Sequence, residues 1–380
     1  MANYNFLSKL VDLKADGSPF LSIYLDTGPN ENGQKNFDVF LKKQLNDHAA
    51  VIDPSSEERK RFDAVAEHIW QFANGIDPST RGAAIFASTG PSEFFQTFEF
   101  QVPIETNEFF SLEKPHIYPL MRIFGQHPTF VVAAADTNSA RIFTYRRGRI
   151  LEKEEIQNLK TSRSEAGGWS QMRFQRHLEN FHEQHAKEVV AELDKLVRSE
   201  RIDAVVLVGD EAVIIPMLME EMSKELSEKV VAKLALNIDT PEKAMLEQAD
   251  TAMREYDAAA DAEKIDHLME QNYEDGVGVT GVDNVLRALL NGQVQELYLT
   301  ADPNDITYDN TAVEDVLRKY EPALEDLPDV NDKALLIDEL IARAAATADS
   351  IRFIEDPHLL KTSGGVGAIL RYQAKGVSNT

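Results

Sequence analysis

The sequence predicts an α/β protein built from three domains. Its 380 residues suffice for two or three domains of ordinary size, and 43% of them are hydrophobic, which is enough to fill globular cores. Short runs typical of strands occur between longer runs in which apolar residues recur at helical spacing. We expect an N-terminal α/β domain at residues 1–126, a middle domain at 127–250 and a C-terminal α/β domain at 251–380.

The first domain is predicted to combine strands with two helices. The run Phe20–Asp26 places apolar residues on alternate positions, as a strand does. Helical spacing begins at Phe37, and Ser56 is a candidate N-cap for a second helix that reaches Trp70. Two further strands are predicted at Gly82–Ser88 and Phe94–Val102. A break at residues 125–128 ends the domain.

The middle domain is predicted to be a mixed sheet with helices on its faces. A meander of three strands is expected at Thr129–Ala135, Ala140–Tyr145 and Arg149–Ile156. A loop with two glycines leads from it into a long helix, from about Arg173 to Glu200. The domain then closes with strand Ala204–Val208, helix Ile214–Leu226 and strand Lys229–Leu236.

A long acidic helix, from about Pro241 to Asn272, leads into the third domain. That domain is predicted to contain helices Gly281–Leu290 and Lys333–Ala346 and strands Glu296–Thr300, Ser350–Ile354 and Ala368–Gln373. The acidic run Pro322–Asp332 is predicted to be an exposed loop.

Composition excludes several classes of function. The chain has 39 Lys and Arg residues against 64 Asp and Glu residues, a net charge of −25, which argues against broad binding of nucleic acid. Any RNA contact must therefore be local. There are no cysteines, so disulfides, thiolate nucleophiles and cysteine-based zinc sites are excluded. Because neither a signal peptide nor a membrane-length apolar run is present, we expect a cytoplasmic protein without a membrane partner.

One segment carries most of the functional information. This glycine segment extends from Gly167 to His177 and reads Gly-Gly-Trp-Ser-Gln-Met-Arg-Phe-Gln-Arg-His. Five cations lie in or near it: Lys160, Arg163, Arg173, Arg176 and His177. A local cation cluster on an acidic chain is typical of a site where a phosphate backbone docks. The alternative is a flexible surface loop before a helix.

Three other patterns have structural interpretations that we favour over functional ones. His182 and His185, with glutamates nearby, could bind zinc, but a solvated helix face is favoured. The glycines of Ser363–Gly367 precede a strand rather than a helix, so a tight turn is favoured over a phosphate loop. Asp210 follows a strand, where a ligand could bind, but a helix cap is favoured. No metal and no cofactor are expected.

The glycine segment resembles the tip of the middle domain in archaeal and eukaryotic class-1 release factors and their Pelota-like relatives. In those release factors the tip reads Gly-Gly-Gln-Ser, followed by Arg-Phe and a helix. The matching positions here are Gly167, Gly168, Ser170, Arg173 and Phe174. Trp169 stands in place of the catalytic glutamine, which positions a water against the peptidyl-tRNA ester. An indole has one N–H donor and no acceptor, so the candidate catalytic residue is Gln171, two positions later.

The C-terminal domain carries a second match. Residues 364–372 resemble the closing stretch of the release factors' C-terminal domain, and residues 281–294 resemble its opening. The resemblance covers about residues 128–375 and implies an RNase-H-like middle domain and a C-terminal domain of the kink-turn-binding ribosomal-protein type. In the family, that last domain docks a translational GTPase. The first domain lacks the family's Asn-Ile-Lys-Ser and Tyr-Cys motifs for stop-codon reading.

The resemblance implies a bacterial or archaeal relative of the release factors, in the branch that includes the hibernation factor Balon. Such a factor would enter the ribosomal A site of idle or stalled ribosomes, in hibernation or rescue, and reach toward the peptidyl-transferase centre. The residues expected to contact rRNA or tRNA are Gly167, Gly168, Trp169, Ser170, Arg173, Arg176 and His177. The alternative is a peptidyl-tRNA hydrolase that uses Gln171. A metal- or nucleotide-dependent enzyme built on the same folds is a third hypothesis.

Overall fold

The chain forms two compact units in the computed structural model. The first unit combines residues 1–126, here called the N-terminal segment, with residues 261–380, here called the C-terminal segment, and the second unit is residues 127–260. The structure describes residues 9–11, 13, 17–28, 37–91, 93–126, 129–146, 149–157, 169–200, 202, 204–273, 276–320 and 332–373, and leaves out the side chains of residues 126, 146, 149–157 and 169–179. The division into domains at 126/127 and 250/251 stays a prediction.

The N-terminal segment has an antiparallel sheet covered on one face by two helices. Its strands are β1 (Phe20–Asp26), β2 (Gly82–Ser88), β3 (Phe95–Phe100) and β4 (Glu108–Leu112), in the order β3-β2-β1-β4. Its helices are α1 (Phe37–Val51), α2 (Glu57–Gly75) and α3 (Tyr118–Gln126). The predicted cap is confirmed, because the Ser56 hydroxyl accepts the Arg59 N–H at 3.0 Å. β4 and α3 were not predicted, since both are short and neither has a long periodic pattern.

The second unit has a five-stranded mixed sheet. Its elements are β5 (Phe130–Ala135), β6 (Ser139–Arg146), β7 (Arg149–Gln157), α4 (Trp169–Glu200), β8 (Val205–Val208), α5 (Ile214–Glu221), α6 (Lys224–Glu228), β9 (Val230–Leu234) and the first part of α7 (Glu242–Gln271). The order is β7-β6-β5-β8-β9, with β8 parallel to β5 and β9 parallel to β8. This mixed α/β sheet agrees with the RNase-H-like domain that was predicted.

The central strands β5 and β8 are buried on both faces, as their continuous apolar sequences require. Val131 of β5 and Leu207 of β8 pack with α4 and α5, whereas Val132 and Val206 face α7. The predicted helix Ile214–Leu226 is interrupted, because Met222 has an extended backbone. Ser223 then caps α6 by accepting the Leu226 N–H at 3.2 Å.

The C-terminal segment contains a second small mixed sheet. After the end of α7, its elements are β10 (Gly278–Thr280), α8 (Val282–Leu290), β11 (Val294–Thr300), α9 (Asn310–Tyr320), α10 (Lys333–Thr347), β12 (Ser350–Ile354), α11 (Pro357–Leu360) and β13 (Val366–Leu370). The order is β10-β13-β11-β12, and only the β11–β12 pair is parallel among these described strands. β10 and α9 were not predicted, and the predicted acidic loop at 322–332 lies outside the described residues except for Asp332, which caps α10.

One hydrophobic core extends through both segments of the first unit. Leu120 and Met121 of α3 belong to the same buried cluster as Leu340 and Ile341 of α10 and Phe353 of β12. The N-terminal and C-terminal segments therefore stabilise each other. Within the described part of the chain, no helix combines the length and apolar character that crossing a membrane requires.

Candidate functional site

The glycine segment lies where the edge strand β7 gives way to the long helix α4. Gly167 and Gly168 lie outside the described residues. The helix begins at Trp169, four residues earlier than predicted, so Ser170 and Gln171 belong to its first turn. Residues 169–172 include no glycine or proline that would stop a helix, which accounts for the early start.

The cations of the segment belong to the same helix. Arg173, Arg176 and His177 follow within the first three turns of α4, but their side chains are not among those described. The segment is thus presented on regular backbone from Trp169 onward. The predicted contacts of these residues with RNA stay predictions.

The far half of α4 anchors the helix in the core of the second unit. Ala186, Val189, Leu193 and Val197 are buried against the sheet. The helix has 32 residues and is about 48 Å long. Trp169 precedes Ala186 by 17 positions, or about 25 Å along the axis, so a rigid rod connects the glycine segment to this anchor.

The beginning of α4 is electrostatically suited to an anion. Its first turn has no acidic residue, and the helix dipole places partial positive charge there. Farther along, cations are paired with carboxylates on the same helix: Lys187–Glu183 at 2.6 Å, Lys195–Glu192 at 2.5 Å and Arg198–Asp194 at 2.8 Å. The excess of cations over acids is therefore confined to the beginning of the helix.

The histidines of α4 differ from each other in burial. His182 is partly exposed, but His185 is fully buried beside Ala186 and Val189, so the favoured interpretation of a solvated face is wrong for His185. The helical period turns that position toward the sheet. Within the described residues, no group of three or more His, Asp or Glu side chains is placed to hold a metal ion.

Asp210 has the structural role that was favoured. Its carboxylate accepts the Ala212 N–H at 2.7 Å and the Val213 N–H at 3.1 Å, and its carbonyl accepts the Ile215 N–H at 3.1 Å. These bonds close the turn that leads into α5. The favoured structural interpretation therefore holds, but as a turn: the N-cap of α5 is Val213, which makes no side-chain cap bond, so a helix cap at Asp210 was wrong.

The glycine-rich turn before β13 is also structural. Gly364 has φ 65° and Gly365 has φ 78°, a left-handed backbone that favours glycine. The Gly365 N–H donates to the Leu360 carbonyl at 3.0 Å, and the Gly365 carbonyl accepts the Thr300 N–H at 2.9 Å. Gly367 does not have a left-handed backbone, but a Cβ there would lie 2.4 Å from the Leu268 side chain.

A buried pair, which no sequence pattern indicated, ties together the two segments of the first unit. The Nδ1 atom of His116 lies 2.6 Å from a carboxylate oxygen of Asp338, and both residues are less than a tenth exposed. They are 222 positions apart, so only the fold brings them together.

Comparison with known proteins finds that part of the chain is similar to a release factor family. The model of the bacterial archaeo-eukaryotic release factor family 10 matches residues 115–254, a range that contains the glycine segment and all of α4. A relative, the peptide chain release factor subunit 1 of Methanobrevibacter smithii, is 21% identical over 410 residues, which cover 96% of each chain. The chain is therefore similar to release factors over residues 115–254 and, at low identity, over most of its length.

Solved structures of this superfamily are similar over much of the chain. The archaeal translation termination factor aRF1 matches with 16% identity and a TM-score of 0.26, covering 97% of each chain. The Pelota protein of Archaeoglobus fulgidus matches with 16% identity and a TM-score of 0.33, covering 77% of this chain and 80% of its own. Because these superpositions are weak, the similarity to release factors rests on the sequence matches.

Proposed function

We propose that this protein is a cytoplasmic translation factor that binds the ribosomal A site and directs the glycine segment toward the peptidyl-transferase centre. Its targets are idle or stalled ribosomes, in hibernation or rescue. One observation supports this most: the match to a release factor family spans 115–254, the part of the chain with the Gly167-Gly168 pair and its helix. The relative that covers 96% of the chain is named as a peptide chain release factor.

The charge distribution supports a local contact with RNA. The chain as a whole carries −25, so most of its surface repels a phosphate backbone. The beginning of α4 combines the positive end of a helix dipole with Arg173 and Arg176. We therefore assign the rRNA and tRNA contacts to Gly167–His177. A translational GTPase that binds the C-terminal domain is a further proposed partner.

The early start of α4 favours a factor that occupies the ribosomal A site over one that hydrolyses peptidyl-tRNA. In a helix, Gln171 follows Trp169 by about 200° of rotation and about 3 Å of rise. Gln171 can therefore take the position of Trp169 only if the first turn unwinds. An indole at the end of the helix can stack on a base, which contributes about 1–3 kcal/mol in single-stranded nucleic acid complexes.

The second candidate is a peptidyl-tRNA hydrolase in which Gln171 positions the water. The presence of a glutamine two residues beyond the superfamily's catalytic position favours it. Two glycines precede the helix, and they give the backbone the freedom that such a displacement needs.

Co-sedimentation with ribosomes tests the binding role. The double variant Arg173→Glu, Arg176→Glu should bind much less than wild type, because two phosphate contacts become repulsive. The control is Lys42→Glu, Lys43→Glu, the same change in charge at two exposed positions of α1, which should bind as wild type does. Equal binding by the first variant and wild type would remove the RNA role of α4.

A peptide-release assay on ribosomes with peptidyl-tRNA separates the two candidates. For an occupancy factor, wild type releases nothing above background, Trp169→Ala weakens binding, and Gln171→Ala changes little. For a hydrolase, wild type releases peptide, and Gln171→Ala abolishes release while binding persists, as expected for a group that acts in the transition state. The second pattern would overturn our preferred function.

A further inference from the structure

Besides sharing a hydrophobic core, the N-terminal and C-terminal segments are joined by a buried carboxylate. Asp338 of α10 accepts the N–H groups of Ile117 and Tyr118 through Oδ1, each at 2.9 Å, and its Oδ2 faces Nδ1 of His116 at 2.6 Å. The first N–H groups of a helix have no acceptor within the helix. The start of α3 is thus capped by a side chain 220 positions later.

The N-terminal segment fixes the other partner of this contact. The His116 N–H donates to the Ser22 hydroxyl at 2.9 Å, and the His116 carbonyl accepts the Tyr24 hydroxyl at 2.6 Å. The imidazole also packs on Phe110, with 4.2 Å between ring centroids. Hydrogen bonds to its backbone and the contact of its ring with Phe110 fix the position of His116. His116 and the start of α3 therefore approach Asp338 in a single geometry.

The other described ion pairs at this junction are weaker. Lys114 lies 3.3 Å from Glu339, and Arg122 lies 3.8 Å from Glu355, and in each pair one side chain is about half exposed. Exposed pairs of this kind contribute little, whereas loss of one partner of a buried pair leaves polar groups without water or acceptor. The main polar attachments of α3 are therefore the buried Asp338 contact and the Tyr118 hydroxyl, which donates to the Ala301 carbonyl.

We propose that Asp338 is a latch that couples the segments: its carboxylate holds the start of α3 on the C-terminal segment, and its loss frees α3 locally before either sheet opens. The hold on α3 depends more on where the accepting oxygen of residue 338 lies than on the charge of its side chain. Burial raises the pKa of Asp338, with the bonds from His116 and the two N–H groups opposing that shift. A neutral group of the same shape should hold the latch closed.

Charged and titratable groups on the neighbouring elements surround the His116–Asp338 contact. They are Tyr24 of β1, Glu108 of β4, Lys114 before α3, Arg122 of α3, and Glu339 and Arg343 of α10. Among these described groups, all except Tyr24 are at least partly exposed. The exchange rates are therefore compared at a single pH near neutrality, so that these groups carry the same charge in every variant.

Hydrogen exchange of backbone amides in the full chain tests the latch. In Asp338→Ala, amides of residues 117–126 should exchange at least tenfold faster, while those of β1 and β2 keep their wild-type rates. Asp338→Asn keeps an oxygen acceptor and should resemble wild type. Glu355→Ala removes an exposed carboxylate that faces the same helix, and it should also resemble wild type.

Two outcomes would overturn the latch. Unchanged exchange at 117–126 in Asp338→Ala would show that the carboxylate holds nothing, and equal acceleration in β1 would show a general loss of stability. Should Asp338→Ala not fold, His116→Ala decides, because it removes the imidazole and leaves both N–H bonds to the carboxylate in place. Wild-type exchange at 117–126 would then support the latch, and faster exchange confined to that range would refute it, because the imidazole rather than the two N–H bonds would be holding α3.

Discussion

Replacing Gly365 with valine should destabilise the first unit by an amount that the structure allows us to estimate. Gly365 has φ 78°, and its N–H and carbonyl are both used in backbone hydrogen bonds. A Cβ at this position would meet the Thr300 methyl at 3.0 Å, the Asp305 carbonyl oxygen at 3.1 Å and the Ile306 Cα at 3.1 Å. Both the backbone and the surroundings therefore oppose a side chain.

The two costs can be estimated separately. A left-handed backbone costs a non-glycine residue about 1–2 kcal/mol. Forcing extra atoms into a packed site costs roughly 1–3 kcal/mol more. The sum is about 2–5 kcal/mol, and at roughly 2–4 °C per kcal/mol for a unit of this size, a central value of about 3.5 kcal/mol lowers the melting temperature by roughly 7–14 °C.

Calorimetry of wild type, Gly365→Val and Gly292→Val provides the measurement and its control. Gly292 also has a positive φ, 65°, but nothing lies within 4 Å of a Cβ there. Gly292→Val should therefore show only the backbone cost of about 1–2 kcal/mol. The difference between the two variants measures the contacts around Gly365.

Two results would refute this reasoning. Equal melting temperatures for the two variants would show that the contacts of Gly365 relax without cost. The second concerns nucleotides. For a turn that is only structural, ATP and GTP should leave the wild-type melting temperature unchanged. Saturable stabilisation by a nucleotide, lost in Gly365→Val, would mean that the turn binds phosphate.

Three further predictions concern stability and binding. Burial would raise the pKa of Glu296, but hydrogen bonds from Lys264 and Tyr298 lower it below the usual 4.5. The stabilisation from this network is therefore complete above pH 4.5 and is lost as the pH falls through the lowered pKa. Glu296→Gln should therefore flatten the acid side of a urea-denaturation series measured against pH. Ser56→Ala removes the acceptor for the Arg59 N–H and should cost about 1 kcal/mol in urea denaturation, whereas Ser56→Asp should restore it. Ribosome binding should weaken with salt along a log–log slope no steeper than about −4 in co-sedimentation, because few phosphates are neutralised, and a slope near −10 would contradict a local contact.

The elements that could be predicted from sequence are those with a strong period or a complete apolar run. β1 and β2 have the predicted bounds, and α10 ends one residue later than predicted, because each buries a regular apolar face. The sequence did not indicate β10, which has three residues and depends on β13 for its partner. Its conformation is set by pairing across the chain rather than by local preference.

The candidate site was less accessible to prediction for a related reason. Composition and the glycine pair located the segment, but the helix begins at Trp169, four residues before the predicted start, because nothing at 169–172 stops it. The buried contact of His116 with Asp338 left no trace in the sequence, since neither residue lies in a motif. Contacts between distant segments are set by packing of the shared core.

The placement of the cations bears on how a factor so acidic could approach RNA. Under the proposed function, a net charge of −25 opposes approach in most orientations, so the first favourable encounter would involve the beginning of α4, with Arg173 and Arg176. Repulsion between the RNA phosphates and the rest of the acidic surface then disfavours every other orientation of the protein. The same charge gives little affinity outside the site. Under the proposed function, the cations at the beginning of α4 therefore supply the direction of approach.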